Sequence, residues 1–290
     1  MPDSSGPGDS LQFQWPETSL LAAGALGGPF VIASLTPLRN AMSNGAQDSS
    51  ASLWQLYSRA LGLQSGPANK VRVAYTGALV SSGPACIQWT IIGPTFHFFN
   101  SFAPSPAALL ATAALETCVT FGSQSRNAQM AFNVQAHAQG QASVPLFGIV
   151  RPWGPGATFF MLRNFCGMSG IRLLSPSAQK LLEPILPSGP RELASDLMAS
   201  MMTCVVSGPL NHCWTYTVTS PKLWKASSKD RSWELVSYLR GQYLLPSNNA
   251  FGYSFSPLVR RDFAARCIYI ASVFTMFSCI ERLAVANWPS

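Results

Sequence analysis

Charge is what this sequence has least of. Only 11% of its 290 residues are Asp, Glu, Lys or Arg, whereas 48% are hydrophobic. A typical soluble domain devotes about 25% of its residues to charge, because charged side chains cover its water-exposed surface. The shortage of charge therefore argues against a water-soluble domain and favours a protein that lies in a membrane.

Catalytic and metal-binding motifs are also lacking. The three histidines, His97, His137 and His212, lie far apart, and the seven cysteines form no C-x-x-C pair. No G-x-S-x-G, H-E-x-x-H or G-x-x-x-x-G-K-[ST] motif occurs, and these are the patterns that position nucleophiles, zinc and phosphates. The sequence therefore predicts no enzyme, no cofactor and no metal site, and the cysteines are interpreted as small packing residues.

The sequence predicts neither an N-terminal targeting segment nor a nucleic-acid-binding stretch. The N-terminus, MPDSSGPGDS, has no basic region followed by an apolar core and no Arg-rich amphipathic pattern, so any targeting signal is expected to be internal. The formal net charge of +7 comes from basic residues scattered over loops and helix ends. An excess of Lys and Arg on one side of a membrane explains this charge better than a nucleic-acid partner does.

Six stretches are long and apolar enough to be candidate membrane spans. Three contain no Asp, Glu, Lys or Arg: Ser19 to Leu38, Val73 to Phe99 and Leu197 to Pro221. Three contain one ionisable residue each: Ala107 to Ser125 with Glu116, Trp153 to Ile171 with Arg163, and Phe263 to Ile280 with Arg266. The alternative is a large soluble α protein, but Gly and Pro inside the apolar runs suit membrane helices better.

A repeated motif marks the C-terminal end of each odd-numbered span. T-P-L-R-N-A, S-Q-S-R-N-A and G-P-L-N-H-C place Pro37, Gln124 and Pro209 at equivalent positions, about 86 residues apart. A proline at this level bends a helix or ends its regular hydrogen bonding. The repeat predicts a kink at one level and a threefold pseudosymmetric arrangement, although the second copy has Gln124 in place of proline.

The even-numbered spans and the loops repeat as well. Gly77 to Pro84 matches Gly148 to Pro155, and Ser254 to Arg261 is a weaker third copy. A Trp-bearing amphipathic pattern near Trp54 recurs near Trp233 and predicts a short loop helix in copies one and three. The second copy is too short between its two spans to hold such a helix, so we expect none there.

This plan of three two-helix repeats resembles the mitochondrial carrier family. The best match is A-G-A-L-G-G-P-F-V-I-A-S-L-T-P-L-R at Ala23 to Arg39, with a small-xxx-small pair at Gly24 and Gly28. The resemblance implies an all-α fold of six transmembrane helices with threefold pseudosymmetry. It also implies a multi-pass protein of the mitochondrial inner membrane, divided into a tail (1–18) and repeats at 19–105, 106–189 and 190–290.

The family's charged gate motif is degenerate here. The family has P-x-[DE]-x-x-[KR] on its odd helices, whose acids and bases form a ring of ion pairs. The acid positions correspond to Arg39, Arg126 and Asn211, and the base positions are Met42, Gln129 and Trp214. None of the three ion pairs can form, and two like charges are predicted to face the place where the ring would close.

Two functions remain open. Loss of the gate favours a transport-incompetent structural subunit of a respiratory or ATP synthase complex, which contacts membrane lipids and neighbouring subunits. The alternative is a solute transporter in which Arg151, Arg163, Arg261 and Arg266 bind a small anionic metabolite or contact lipid. No cofactor is expected apart from a bound lipid such as cardiolipin. The N-terminal tail, Leu11 to Glu17 and Ser247 to Ala250 are candidate partner contacts.

Overall fold

Helices make up most of the structure. The computed structural model describes residues 17–63, 66–247 and 252–287. Its helices are α1 (Thr18–Ala22), α2 (Gly28–Ser34), α3 (Thr36–Gly45), α4 (Leu53–Ala60), α5 (Pro67–Ala74), α6 (Ala78–Asn100), α7 (Ser105–Ala138), α8 (Ala157–Ser169), α9 (Ser175–Leu182), α10 (Ser188–Val218), α11 (Pro221–Lys225), α12 (Ser228–Tyr243) and α13 (Pro257–Asn287). The π-helical turns Ala23–Gly27 and Gly170–Leu174 join α1 to α2 and α8 to α9, and β1 (Leu244–Pro246) pairs antiparallel with β2 (Tyr253–Phe255). The predicted all-α class is confirmed at this level.

Six long helical rods form a closed ring. In chain order, the rods are α1 to α3 (rod 1), α6 (rod 2), α7 (rod 3), α8 with α9 (rod 4), α10 (rod 5) and α13 (rod 6). Each rod packs against the rods before and after it, and rod 6 packs against rod 1. Rod 3 also contacts both α3 of rod 1 and rod 5. Rod 3 therefore approaches both of the other odd-numbered rods.

Small residues on rod 1 permit its close contact with rods 2 and 6. A Cβ atom on Gly24 would lie 2.6 Å from the backbone oxygen of Trp89, and one on Gly28 would lie 2.6 Å from the Trp89 ring. Gly27 faces Ile280 of rod 6 in the same way, at 2.8 Å. Substitution by any larger residue would force the rods apart. The predicted packing role of Gly24 and Gly28 is confirmed.

Only one of the three predicted kinks appears as a break. Rod 1 bends by 55° between α2 and α3, where Leu35 leaves the helical conformation and Pro37 opens the next helix. α7 and α10 continue without a break through Gln124 and Pro209. The kink is therefore confirmed as a break in rod 1 alone, and a bend at Gln124 or Pro209 stays a prediction. Gln124 keeps the backbone N–H that proline lacks, and the residues around Pro209 stay helical.

The starts of rods 2 and 4 correct the alignment of the even-numbered spans. α6 follows Gly77 at φ +78°, and α8 follows Gly156 at φ +87°, both left-handed conformations that favour glycine. Gly77 is therefore equivalent to Gly156, eight residues beyond the predicted Gly148. The Gly-Pro pair Gly83–Pro84 lies inside α6, whereas Gly154–Pro155 precedes α8. Matching those pairs caused the wrong register.

The loops differ between repeats as the sequence predicts. α4 follows rod 1, and α12 follows rod 5, each between the two rods of its repeat. The capping box of Ser52 and Gln55 opens α4, and Ser227 caps α12 by accepting from the Asp230 N–H. Residues 139–156, between rods 3 and 4, contain no helix. The second repeat therefore has the loop without the helix.

The evidence for membrane spans is narrower than the six predicted. Within the described residues, one helix, Ser188–Val218, is long and apolar enough to cross a membrane, and the bent pair Thr18–Ser34 with Thr36–Gly45 would be a second if it counts as one span. Core helices of soluble proteins pass the same test. The six-span arrangement is thus a proposal, taken up below.

The partner contacts predicted near the N-terminus and in the last loop lie almost entirely outside the residues that the structure describes. Residues 1–16 and 248–251 lie outside the described part of the chain. This places nearly all of the N-terminal tail, the segment Leu11 to Glu17 and the loop Ser247 to Ala250 beyond structural comparison.

Candidate functional site

Rods 1 and 3 are joined by a buried network centred on Arg39. Its guanidinium donates to Gln124 Oε1 and to Asn127 Oδ1, each at 2.9 Å. Asn127 donates in turn to Asn40 Oδ1 at 3.0 Å, and Asn40 donates to the Thr76 carbonyl. Arg39, Asn40 and Asn127 are almost fully buried. Arg39 and Gln124, two of the predicted signature positions, therefore meet, but they meet as a charged donor and a neutral acceptor.

Arg126 does not share this network. It donates to the backbone carbonyl of Phe147 at 2.9 Å, in the loop that follows rod 3. The prediction that Arg39 and Arg126 face one closing ring is wrong in that respect, because the two guanidinium groups take acceptors in different elements.

Rods 3 and 5 are joined through Gln129 and Trp214, two of the positions that the resemblance aligns with the carrier bases. Gln129 is fully buried, donates to the Val218 carbonyl at 2.9 Å and accepts from the Phe147 N–H at 2.7 Å. The Trp214 indole N–H donates to Ser125 Oγ at 3.2 Å. Amide and indole groups thus take the place of charges, and their hydrogen bonds satisfy polar atoms that burial would otherwise leave unpaired.

Ion pairs between the odd-numbered rods are absent from the described part of the chain. The third signature pair, Pro209 and Asn211, does not join the Arg39 network: Asn211 accepts from Arg163 of rod 4 at 2.9 Å. Within these residues, hydrogen bonds to neutral acceptors join rod 3 to rods 1 and 5 instead.

Arg163 lies between aromatic rings and amide acceptors. Its guanidinium carbon is 4.2 Å from the ring centroid of Phe160 and 4.8 Å from that of Trp214. Besides Asn211, it donates to Asn164 Oδ1 at 2.8 and 3.1 Å. Aromatic faces and neutral amides stabilise a guanidinium without neutralising its charge. Arg163 therefore contributes a positive charge to the interior.

Arg266 adds a second interior charge. It is more than nine-tenths buried, and its Nε has no hydrogen-bond partner within the described residues. It lies near Tyr269, and close enough to Arg163 for the two charges to interact. The carboxylate nearest to Arg163, that of Glu116, accepts a hydrogen bond from Gln88 and interacts electrostatically with Arg163. The interior thus holds more cationic than anionic groups.

The other two predicted cavity arginines lie elsewhere. Arg151 is exposed, donates to the Trp153 carbonyl and covers the Phe147 ring at 4.3 Å. Arg261 is buried at the start of rod 6 and donates to the carbonyls of Gly45, Asp48 and Ala51. Only Arg163 and Arg266 of the four predicted arginines therefore come together inside the ring.

Sequence reasoning missed the amides that surround these charges. Asn40 and Asn127 lie inside the repeated motif, each directly after an arginine in the tripeptide R-N-A. That repetition of asparagine after arginine was the available signal. Asn164 and Gln88 carry no signal of this kind, because a single amide in an apolar stretch has no spacing to distinguish it.

Two clusters at the loop end of the ring shift the pKa values of their ionisable groups. Burial opposes ionisation of Asp48, but hydrogen bonds from Ser50, Arg59 and the Ala51 N–H outweigh it and lower the Asp48 pKa below its ordinary value. Lys222 and Glu234 form a surface ion pair at 2.6 Å, which raises the Lys222 pKa and lowers the Glu234 pKa. The Asp48 cluster joins the segment after α3 to α4. The second cluster joins α11 and α12 to rod 5, because Tyr216 of α10 also donates to the Glu234 carboxylate.

Comparison with known proteins adds no relative. No protein-family model matches the chain, and no curated protein matches it at a significant level.

Proposed function

We propose that this chain is an inner-membrane protein of mitochondrial-carrier-like fold that serves as a structural subunit of a respiratory or ATP synthase complex. The fold part of the proposal is supported by the six rods that close into a ring in chain order, and by their pairing into three repeats. The lipid-facing surface is supported by large apolar side chains that are strongly exposed, among them Leu79 (91%) and Leu26 (75%).

The observation that carries the structural role is the nature of the contact between odd rods. Alternating access needs two states of similar energy, and a ring of exposed ion pairs supplies such a device in the carrier family. Here the buried contacts of Arg39 with Gln124 and Asn127 join rods 1 and 3. Opening them would leave buried amides and a guanidinium without partners, a cost that favours one fixed state.

Exposed tryptophans on the two loop helices are consistent with a position at the membrane surface. Trp54 of α4 is 69% exposed and Trp233 of α12 is 77% exposed. Tryptophan is enriched where hydrocarbon meets headgroups. We therefore place α4 and α12 at one membrane–water interface, by analogy on the matrix side.

The test is the size at which the chain migrates after gentle solubilisation. Native membranes are extracted in mild detergent and resolved on a native gel, and the bands are quantified by mass spectrometry. Co-migration in fixed stoichiometry with subunits of a respiratory complex or the ATP synthase is the expected result. Migration at the size of one chain with its detergent would contradict the structural role.

A transporter of a small anionic metabolite is the second candidate, and the interior charges favour it. Arg163, whose hydrogen bonds go to neutral amides, lies close to Arg266, whose Nε has no partner within the described residues, so an anion would offset their charge. Purified protein in liposomes tests this. Saturable anion uptake that Arg163→Ala abolishes and Arg151→Ala preserves would favour the transporter, since Arg151 is exposed on the loop. Uptake no greater than that of empty liposomes would exclude it.

A further inference from the structure

The loop between rods 3 and 4 lies along one outer face of rod 3. Leu115, Cys118 and Gly122 are spaced at i, i+3 and i+7, which places them on the same face of a helix. Leu115 and Cys118 are exposed. Gly122 is buried under the loop: a Cβ atom on it would lie 2.5 Å from the Ile149 carbonyl oxygen and 2.6 Å from the Arg151 nitrogen. The loop therefore covers the same face of rod 3 that is open at Leu115 and Cys118.

Two contacts fix the depth of the loop along rod 3. At one end, the Asn133 side chain bonds the Val144 N–H at 2.7 Å and the Val144 carbonyl at 2.9 Å. At the other end, the backbone of residues 148–151 meets Gly122. Asn133 lies 11 residues after Gly122 on rod 3, a distance of about 16 Å along the helix. The loop therefore runs back to the level of the stretch predicted to span a membrane, Ala107 to Ser125.

The polarity of the loop changes with this depth. Residues 139–143, at the end away from the predicted span, read Q-G-Q-A-S and are all exposed. We call residues 146–153 the apolar loop, because they include four exposed large apolar side chains: Leu146 (40%), Ile149 (41%), Val150 (90%) and Trp153 (45%). Arg151 is the only charged residue in 139–156. Water suits the first composition, and the boundary of a bilayer suits the second.

The position of Leu79 provides an independent measure of this level. Leu79 (91%) and Val150 (90%) are the most exposed large apolar side chains among the described residues. Rod 2 begins beside Asn127, since a Cβ atom on Gly77 would overlap the Asn127 side chain. Asn127 and Gly122 are five residues apart on rod 3, or about 8 Å. Val150 therefore lies close to the level of Leu79, which belongs to the lipid-facing surface in the proposed function.

We propose that the apolar loop enters the bilayer at the headgroup boundary and packs against lipid acyl chains, in place of the loop helix that the second repeat lacks. The inference rests on the membrane placement in the proposed function. That placement assigns Trp54 of α4 and Trp233 of α12 to the boundary, and Trp153 is their counterpart in the second repeat. Arg151 is exposed beside these apolar side chains, and a guanidinium in this position extends to lipid phosphates.

Depth-dependent quenching of a fluorescent label tests the inference. Cys118→Ser and Cys279→Ser remove the exposed native thiols, and a nitrobenzoxadiazole label is attached to Val150→Cys in the full chain. The chain is reconstituted in vesicles of phosphatidylcholine and phosphatidylglycerol. Lipids that carry a nitroxide should quench this label. Iodide in the water should quench it about threefold less than it quenches a label on Ser143→Cys, at the exposed polar end of the loop.

The possible failures are separable. Leu79→Cys is the control for the membrane placement, and the parent without an introduced cysteine gives the background signal. A Val150 label that responds like the Ser143 label, beside a Leu79 label that nitroxide lipids quench, would overturn the inference and leave the membrane fold standing. Strong iodide quenching of the labels at both Leu79 and Val150 would overturn the membrane placement itself.

Photocross-linking in native membranes separates lipid from a protein partner. The photoreactive residue p-benzoylphenylalanine is placed at Val150, and the expected products are adducts with phospholipids. Cross-links that go mainly to another protein would overturn the lipid assignment and make the apolar loop a subunit contact.

An acidic substitution gives a readout that needs no label. Since the Val150 side chain is exposed, Val150→Asp would cost little if the loop lay in water. At the level of lipid a carboxylate is costly, so we expect Val150→Asp to lower the unfolding temperature of the chain in vesicles. Ser143→Asp, in the polar part of the same loop, is the matched control and should leave it unchanged. Equal effects of the two substitutions would contradict the inference.

Discussion

Arg261 donates through Nη2 to the backbone carbonyl of Gly45, at 2.9 Å, across 216 residues of sequence. Its Nη1 donates to the carbonyls of Asp48 and Ala51, and its Nε donates to Asp262. One buried guanidinium on the last rod thus satisfies the backbone at the end of the first. This contact closes the ring of rods.

Removing this contact should destabilise the protein strongly. We expect Arg261→Ala to lower the free energy of unfolding by about 3–5 kcal/mol, because it leaves Asp262 and three carbonyls without their charged partner. Thermal unfolding in detergent, followed by tryptophan fluorescence, measures the change. The control is Arg260→Ala, since Arg260 is the exposed neighbour. Equal effects of the two substitutions would show that Arg261 is not the closing residue.

Arg39 and Arg126 should differ in their contribution to stability. Arg39→Ala breaks two charged hydrogen bonds between rods 1 and 3, and we expect it to cost about 2–3 kcal/mol. Arg126→Ala breaks one hydrogen bond to the loop and should cost about 1 kcal/mol. Chemical denaturation of both variants under the same conditions measures the two costs. A larger loss for Arg126→Ala would contradict the central place of Arg39.

The ionised Asp48 carboxylate should contribute to the free energy of unfolding at neutral pH and lose this contribution at acidic pH. Since its pKa is lowered in the folded state, the ionised form contributes stability above the unfolded pKa of about 3.9, and this contribution is lost as the pH falls through the folded pKa. Asp48→Asn should therefore lower the unfolding temperature at pH 7 and have a diminishing effect below about pH 4.

The size of this effect is modest because Arg59 and Asp48 are partly exposed. We expect a difference of about 1 kcal/mol at pH 7. Glu192→Gln, at an exposed position on α10, serves as the control. A difference between Asp48→Asn and the native chain that stays constant from pH 7 to pH 3 would rule out the ionised carboxylate as its source.

Arg266 should be a destabilising residue in the ligand-free protein. Its buried guanidinium has an unpaired Nε, and an uncompensated buried charge costs several kcal/mol. We expect Arg266→Met to raise the unfolding temperature in detergent without added anions. The control is Arg163→Met, which removes a guanidinium that does have amide acceptors and should lower it.

The effect of inorganic phosphate on the unfolding temperature tests whether the interior around Arg163 and Arg266 binds anions. If the interior binds anions, phosphate should raise the unfolding temperature of the native chain and leave Arg266→Met unaffected. An equal response of both proteins would locate any phosphate effect outside the interior.

The sequence indicates the fold better than it indicates the contacts. The repeat spacing of Pro37, Gln124 and Pro209 correctly orders the rods, and the short second loop correctly lacks a helix. The match of Gly77 with Gly148 was wrong, because a local motif does not report backbone conformation. Gly156 rather than Gly148 takes the left-handed conformation that starts a rod.

The interior charges illustrate the same limit. Arg151, Arg163 and Arg266 look alike in sequence, as single bases in apolar surroundings, and Arg261 differs from them only in its charged neighbours Arg260 and Asp262. In the structure, Arg151 lies on a loop, Arg163 and Arg266 lie in the interior, and Arg261 joins the last rod to the end of the first. These positions depend on which carbonyls and amides lie nearby, and the partners come from segments up to 216 residues away. Sequence spacing holds no information about such distant acceptors.

The closure by Arg261 also has a consequence for the order of folding. The end of α3 is synthesised long before rod 6. The carbonyls of Gly45, Asp48 and Ala51 therefore lack the Arg261 donor until nearly the whole chain has been made. Tyr238 of α12, which donates to the Ala46 carbonyl at 2.7 Å, also arrives late. A chain truncated before the third repeat would leave this corner open, and its backbone would be accessible to proteases during biogenesis.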